Sequence, residues 1–181
     1  MISVAMFSHR LISGFPCRNF CVSVRHMKLA LRHAQAAYRE KEIPVGAVIV
    51  DNDGTVVAAT RGKVRSSQDN SAHAEVECVK AALNVLGKRS LNGYTLYTTL
   101  EPCAIVMGAV DRACLSKVIF GAYDSNVGAS KLVTQNSVEV VGGVLEEESS
   151  DLLTGFFSSR NDKSSMQIYS GRGGSYINLL T

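Results

Sequence analysis

Apolar residues recur at helical spacing in two stretches of the chain. Ala74, Val76, Val79, Ala82, Leu83 and Leu86 trace one face of a helix that opens at His73 and runs to about residue 86. Ile105, Val106, Ala109, Val110 and Ala113 trace a second, opening at Cys103 directly after Pro102 and running to about residue 113. Short runs rich in β-branched and aromatic residues predict strands over 45–50, 55–60, 94–99, 117–121 and 138–141. Asp51-Asn52-Asp53-Gly54 supplies a tight turn between the first two. Two more helices are expected over 27–40 and 146–157, and Glu146-Glu147-Glu148 in the first turn of the latter suits its dipole. Strands alternating with helices argue an α/β protein, a mixed five-stranded sheet covered on both faces in a three-layer α/β/α arrangement.

At 181 residues the chain has room for one domain of about 130 to 150 residues plus tails. No apolar run approaches the ~18 residues of a membrane span, so no membrane association is expected. The formal charge of +3 comes entirely from the N-terminal part. Residues 1–39 hold six Lys or Arg and no acid, leaving 13 bases against 16 acids over residues 40–181. Overall charge is therefore poor support for RNA binding. A local patch at Arg61, Lys63 and Arg65 is conceivable, though an ordinary solvated loop is an equally good reading.

Residues 1–26 carry Arg10, Arg18 and Arg25, several Ser and no acid, the composition of a mitochondrial or plastid transit peptide. A second start of translation at Met27, with a cytoplasmic or nuclear protein, is the competing reading; organelle import is preferred. The domain is expected over 27–160 and a flexible tail over 161–181, where Gly171-Arg172-Gly173-Gly174 stands. Five cysteines, at 17, 21, 78, 103 and 114, suggest no disulfide framework, and Cys78 and Cys114 read as small core residues.

The candidate chemistry lies in His73-Ala74-Glu75 and Pro102-Cys103-Ala104-Ile105-Val106. Zinc deaminases carry H-x-E followed by P-C-x-x-C, in which one His and two Cys hold the metal and the Glu moves protons. Two cysteines three apart on a helix share a face and can grip one ion, and a helix start favours thiolate and metal-bound hydroxide. Here both motifs stand at helix starts, but Val106 occupies the position of the second cysteine. Taken singly, a His at a helix start or a Pro-Cys pair is more often packing than chemistry. Together they are specific.

The block Thr98-Thr99-Leu100-Glu101-Pro102-Cys103, followed by Gly108-Ala109, resembles the TadA-type tRNA adenosine deaminases of the cytidine deaminase superfamily. The resemblance runs from about residue 27 to 160. Met27 to Arg39 looks like the first helix, Pro44 to Val50 the first strand, Phe120 to Asp124 the strand after the second motif, and Val138 to Phe157 the last strand and closing helix. It implies a cytidine deaminase-like fold and hydrolysis of the 6-amino group of adenosine at the tRNA wobble position, giving inosine.

It also implies Zn2+ on three protein ligands. His73 and Cys103 map onto two of them, Glu75 onto the proton shuttle, and Val106 onto the third, where it cannot bind a metal. No replacement is visible: Cys114 lies about 16 Å along a helix from Cys103, and Cys78 is turned roughly 140° from His73. Met107 is within reach, but a thioether suits Cu(I) better than Zn(II). Zinc is therefore expected to be weak or absent, and the Cys103 thiol to stay protonated in apolar surroundings.

Two further departures are Gly62, eleven residues before His73, where family members carry an Asn, and a shorter segment between Gly128 and Val138. Asn70 is out of register. Two functions follow: an RNA deaminase whose metal is completed by another ligand or a partner chain, or a non-catalytic subunit that positions RNA or an active chain. Eukaryotic members pair one active and one inactive chain, so a homodimer or a heterodimer with another deaminase chain is expected.

Overall fold

The structure is a computed structural model, and it describes residues 17–125, 127–130 and 138–159, with the side chains of 17–22 outside the description. The expected tail over 161–181 and most of the shortened segment before Val138 also fall outside the described residues. The elements are α1 Cys17–Arg39, β1 Gly46–Val50, β2 Val56–Arg61, α2 Val64–Ser67, α3 Ala74–Leu86, β3 Thr95–Leu100, α4 Ala104–Arg112, β4 Lys117–Ala122, β5 Glu139–Val141 and α5 Glu146–Ser158.

The five strands form one mixed sheet in the order β2-β1-β3-β4-β5. β1 runs antiparallel to β2 and β3, whereas β3, β4 and β5 are parallel. The β1–β2 turn forms where Asp51 Oδ1 accepts from the Asp53 and Thr55 amides at 3.0 and 2.8 Å. Gly54 there takes φ 79°, which a side chain would resist.

Side chains alternate across the sheet and sort the helices into two layers. Val48, Val50, Tyr97 and Ile119 pack with Met27 and Ala30 of α1. On the other face Ile49, Leu96 and Val118 pack with Cys78 and Ala82 of α3 and Val110 of α4. Gly46 lets α1 approach closely: a Cβ there would stand 2.0 Å from the Ala30 carbonyl oxygen. Ser149 of α5 lies over Gly121 in the same way, 2.3 Å from where a Cβ would be.

Two local differences from the sequence reading have physical causes. The first helix begins at Cys17, ten residues before the expected start at Met27, and Ser23 and His26 are buried within it. His26 Nε2 bonds the Gly54 carbonyl at 3.0 Å, and its ring packs on Tyr97 with centroids 5.1 Å apart. Folded structure thus reaches upstream of residue 27. The segment around Arg65 is the short helix α2 rather than an open loop. Its first turn is capped by the buried Glu42 carboxylate, which accepts from the Arg65 and Ser66 amides at 3.0 and 2.6 Å. Arg61 is paired with Glu40 at 2.7 Å, and the Arg65 guanidinium lies over Phe156, so two members of the suggested basic patch are already engaged.

Candidate active site

His73 and Cys103 are the N-cap residues of α3 and α4, each with extended backbone dihedrals just before its helix begins. β2 and β3 both run antiparallel to β1, so the chain leaves them toward α3 and α4 at the same end of the sheet and residues thirty apart in sequence meet: Cys103 Sγ lies 3.8 Å from His73 Nδ1. Glu75 stands one residue into α3, buried, and its Oε1 accepts from the Thr98 hydroxyl of β3 at 2.9 Å. The three residues read as catalytic or ligating from the motifs are therefore brought together.

Each ionisable group is tuned by this arrangement. Burial pushes the Glu75 carboxyl up, against the weaker pull of its own amide, the His73 charge and the Thr98 hydroxyl. A carboxyl so placed takes up a proton more readily than an exposed one, the property required of a general acid and base. His73 is raised, first by its contact with Cys103 and then by the Glu75 and Cys103 charges and the Asn70 carbonyl, with burial opposing. Burial also acts on Cys103, pushing its thiol up. It is outweighed by His73 and by the Val106 and Ile105 amides, and the thiol ends below its ordinary value. The direction is opposite to the rise that apolar burial alone would give.

The donor set matches a three-ligand zinc only in part. Two ligands of one tetrahedral ion, at roughly 2.1 and 2.3 Å, stand about 3.6 Å apart, so the His73 and Cys103 separation suits two ligands of one metal. The third position does not. Val106 is 1% exposed and packs in the core shared by α3 and α4. Cys78 is buried with its thiol pushed up to about 12, chiefly by burial. Met107 is likewise buried. Among the described residues, no group of three or more His, Cys, Asp or Glu is placed to hold a metal. The residues present do not fit a catalytic zinc with three protein ligands.

Glu101 is a site residue that the motif reading passed over. Its carboxylate accepts from the Asp124 amide at 3.0 Å and the Ser130 hydroxyl at 2.5 Å. The Ala129 amide donates to the Pro102 carbonyl at 2.8 Å, and Cys103 bridges to Gly128. Glu101 thus fastens the loop after β4 against the motif that carries Cys103. An acid directly before Pro-Cys was the available signal, but its partners lie more than twenty residues away. Gly62, the other suggested departure, lies beside α3: a Cβ there would stand 4.0 Å from the Ala74 nitrogen and 3.5 Å from the Ile43 carbonyl oxygen, so a larger residue has room.

Comparison with known proteins agrees with this geometry. Residues 16–122 match the model of the cytidine and deoxycytidylate deaminase zinc-binding region. The tRNA-specific adenosine deaminase of Bacillus subtilis is 38% identical over 146 residues, covering 76% of this chain and 90% of that protein. That of Agrobacterium fabrum is 35% identical over 142 residues, covering 74% and 93%. A solved structure from work on A-to-I editing by tRNA:A34 deaminases at the wobble position of transfer RNA superposes with a TM-score of 0.68 at 34% identity. It is covered over 99% of its length by 71% of this chain.

Proposed function

Because the chain belongs to the tRNA-specific adenosine deaminase branch of the cytidine and deoxycytidylate deaminase family, we propose that it acts in adenosine-to-inosine editing of tRNA as a deaminase-fold subunit with an incomplete zinc centre of its own. A second deaminase chain then supplies the catalytic metal. The observation that carries this reading is Val106, buried at 1% exposure where the third ligand would stand. A catalytic zinc requires three protein ligands and one open position, and two donors hold it weakly. Without a metal, no water on the site is activated. A partner's side chain cannot enter the Val106 position, since that position is filled from within.

Glu75 favours a second reading, in which the chain itself transfers protons once metal is completed by another ligand. Its burial and the Thr98 hydrogen bond are what a proton carrier needs. The two readings separate in one experiment: the purified chain is assayed for zinc and for inosine in tRNA, alone and with a catalytic partner. The proposed function expects activity only with the partner; inosine formation by the chain alone would overturn it.

Import into a mitochondrion or plastid is retained as part of this proposal, with a shorter presequence. Cleavage after residue 26 would remove the buried Ser23 and His26, so processing would fall upstream of them.

A further inference from the structure

Over residues 23–39, helix α1 buries one side and carries four exposed basic residues on the opposite side. Ser23, His26, Met27, Ala30, Leu31, Ala34 and Ala37 are buried. Arg25, Lys28, Arg32 and Arg39 are exposed. At 100° per residue these four basic residues fall within an arc of about 60°, centred about 160° from the middle of the buried arc. From Arg25 to Arg39 they line about 21 Å of helix. Gln35 is exposed on the same side.

Nothing among the described residues accounts for this ridge. The helix has no Asp or Glu, and none of the four residues pairs with a carboxylate among the described residues. Lys28 and Arg32 stand four apart, a like-charge spacing that disfavours a helix rather than supporting it. The residues after 39 carry a net negative charge, 13 bases against 16 acids, so the ridge is a local concentration. An open cavity of about 380 Å³ between α1 and α5 adjoins it, lined by Lys28, Leu31, Arg32, Gln35, Leu145 and Glu148. Glu148 is the acid that faces the ridge from the neighbouring helix.

We propose that Arg25, Lys28, Arg32 and Arg39 form a contact for the phosphate backbone of RNA, on the helix layer opposite Glu75. The inference rests on the tRNA reading above and deepens it, by placing an RNA contact across the sheet from the face that carries His73, Glu75 and Cys103. A row of cations over about 21 Å matches a polymer with regularly repeated charge, and such contacts give affinity and orientation without reading sequence. A membrane surface fits less well. A helix that lies in a bilayer interface inserts an apolar face, and that of α1 is spent against the sheet. Among the described side chains, the exposed large hydrophobics, Val56, Val85, Ile105 and Val127, lie off this helix.

The test is binding of a tRNA transcript to the full chain across a salt series, comparing wild type with the Arg25→Gln, Lys28→Gln, Arg32→Gln, Arg39→Gln quadruple variant. Four lost phosphate contacts should weaken binding at least tenfold near 0.1 M salt and flatten the log–log salt slope by about 3. Glu148→Gln should tighten binding, and replacing the three arginines by lysine should preserve the slope, which separates charge from a structural role. A quadruple variant with native circular dichroism that binds tRNA like wild type would overturn the ridge while leaving the tRNA reading intact. No tRNA binding by wild type would overturn both. Preferential binding of wild type to phosphatidylserine vesicles, lost in the variant, would overturn the RNA assignment in favour of a membrane.

Discussion

Cys103 Sγ and His73 Nδ1 meet at 3.8 Å, on two helix starts thirty residues apart, while one turn beyond Cys103 the core is closed by Val106. Two-thirds of a ligand set is thus kept at ligand spacing, and the remaining third is occupied by a hydrocarbon side chain.

Val106→Cys is the smallest change that completes the set. Valine and cysteine are close in size, so the core shared by α3 and α4 should accept it with little loss of stability. Zinc content, read by elemental analysis, is expected to rise to about one ion per chain, the stoichiometry of a three-ligand site. If zinc rises without inosine formation, Gly62→Asn in the same chain is the next restoration, because the space beside Ala74 admits a side chain. Failure of Val106→Cys to gain any zinc would mean that the site is defective beyond this residue.

Thr98 is expected to matter through Glu75. Thr98→Val keeps the shape but leaves a buried carboxyl oxygen without its hydroxyl donor. Urea denaturation should show a loss of about 1–3 kcal/mol, the cost of an unsatisfied buried group. A change below about 0.5 kcal/mol, within the range of neutral surface substitutions, would show that Glu75 finds another partner.

Much of this was legible in the chain, and what was not has a common cause. The five strands, the mixed sheet and the helix starts at His73 and Cys103 follow from apolar period and from Pro102, which are local signals. Val106 was legible as a departure because a ligand pair on a helix has a fixed spacing. The lowered thiol of Cys103 was not, since it depends on His73 arriving from thirty residues away and on the Val106 and Ile105 amides. Helix α2 was missed because four residues carry no period; Glu42, over twenty residues upstream, caps it. The early start of α1 was hidden by composition: acid-free, Arg-bearing sequence reads as a presequence, yet the same residues place His26 against Tyr97.

That early start carries a stability consequence. A chain beginning at Met27 loses the buried Ser23 and His26 and the first turns of α1, and should melt below a chain beginning at Cys17. Gly46→Ala attacks the same packing from the sheet side, since its Cβ would meet the Ala30 carbonyl oxygen at 2.0 Å. Overpacking against backbone should cost about 1–3 kcal/mol or more. Equal melting temperatures for the two chain lengths would show that α1 is anchored from Met27 onward.

His26 should make stability fall in acid. Burial holds its ring below the ordinary 6.5, with Arg25 adding to the effect and the Gly54 carbonyl opposing it. Its Nδ1 is buried without a partner among the described residues, so a second ring proton has no acceptor. The unfolded chain takes up that proton and the folded one resists. The contribution is therefore whole above pH 6.5 and is lost as pH falls below it. Glu75 and His73, both raised, act in the opposite sense, so the readout is the difference between wild type and His26→Gln. That difference should shrink or change sign from pH 7.5 to 5.5; a constant difference would remove His26 from the acid response.

The central claim is that the isolated chain lacks a self-sufficient zinc centre, and elemental analysis of the purified protein after dialysis against a chelator tests it most directly, with inosine in tRNA assayed on the same sample. The account predicts well below one zinc per chain and little inosine. One tightly held zinc per chain, together with conversion of adenosine to inosine in tRNA by that chain alone, would contradict it.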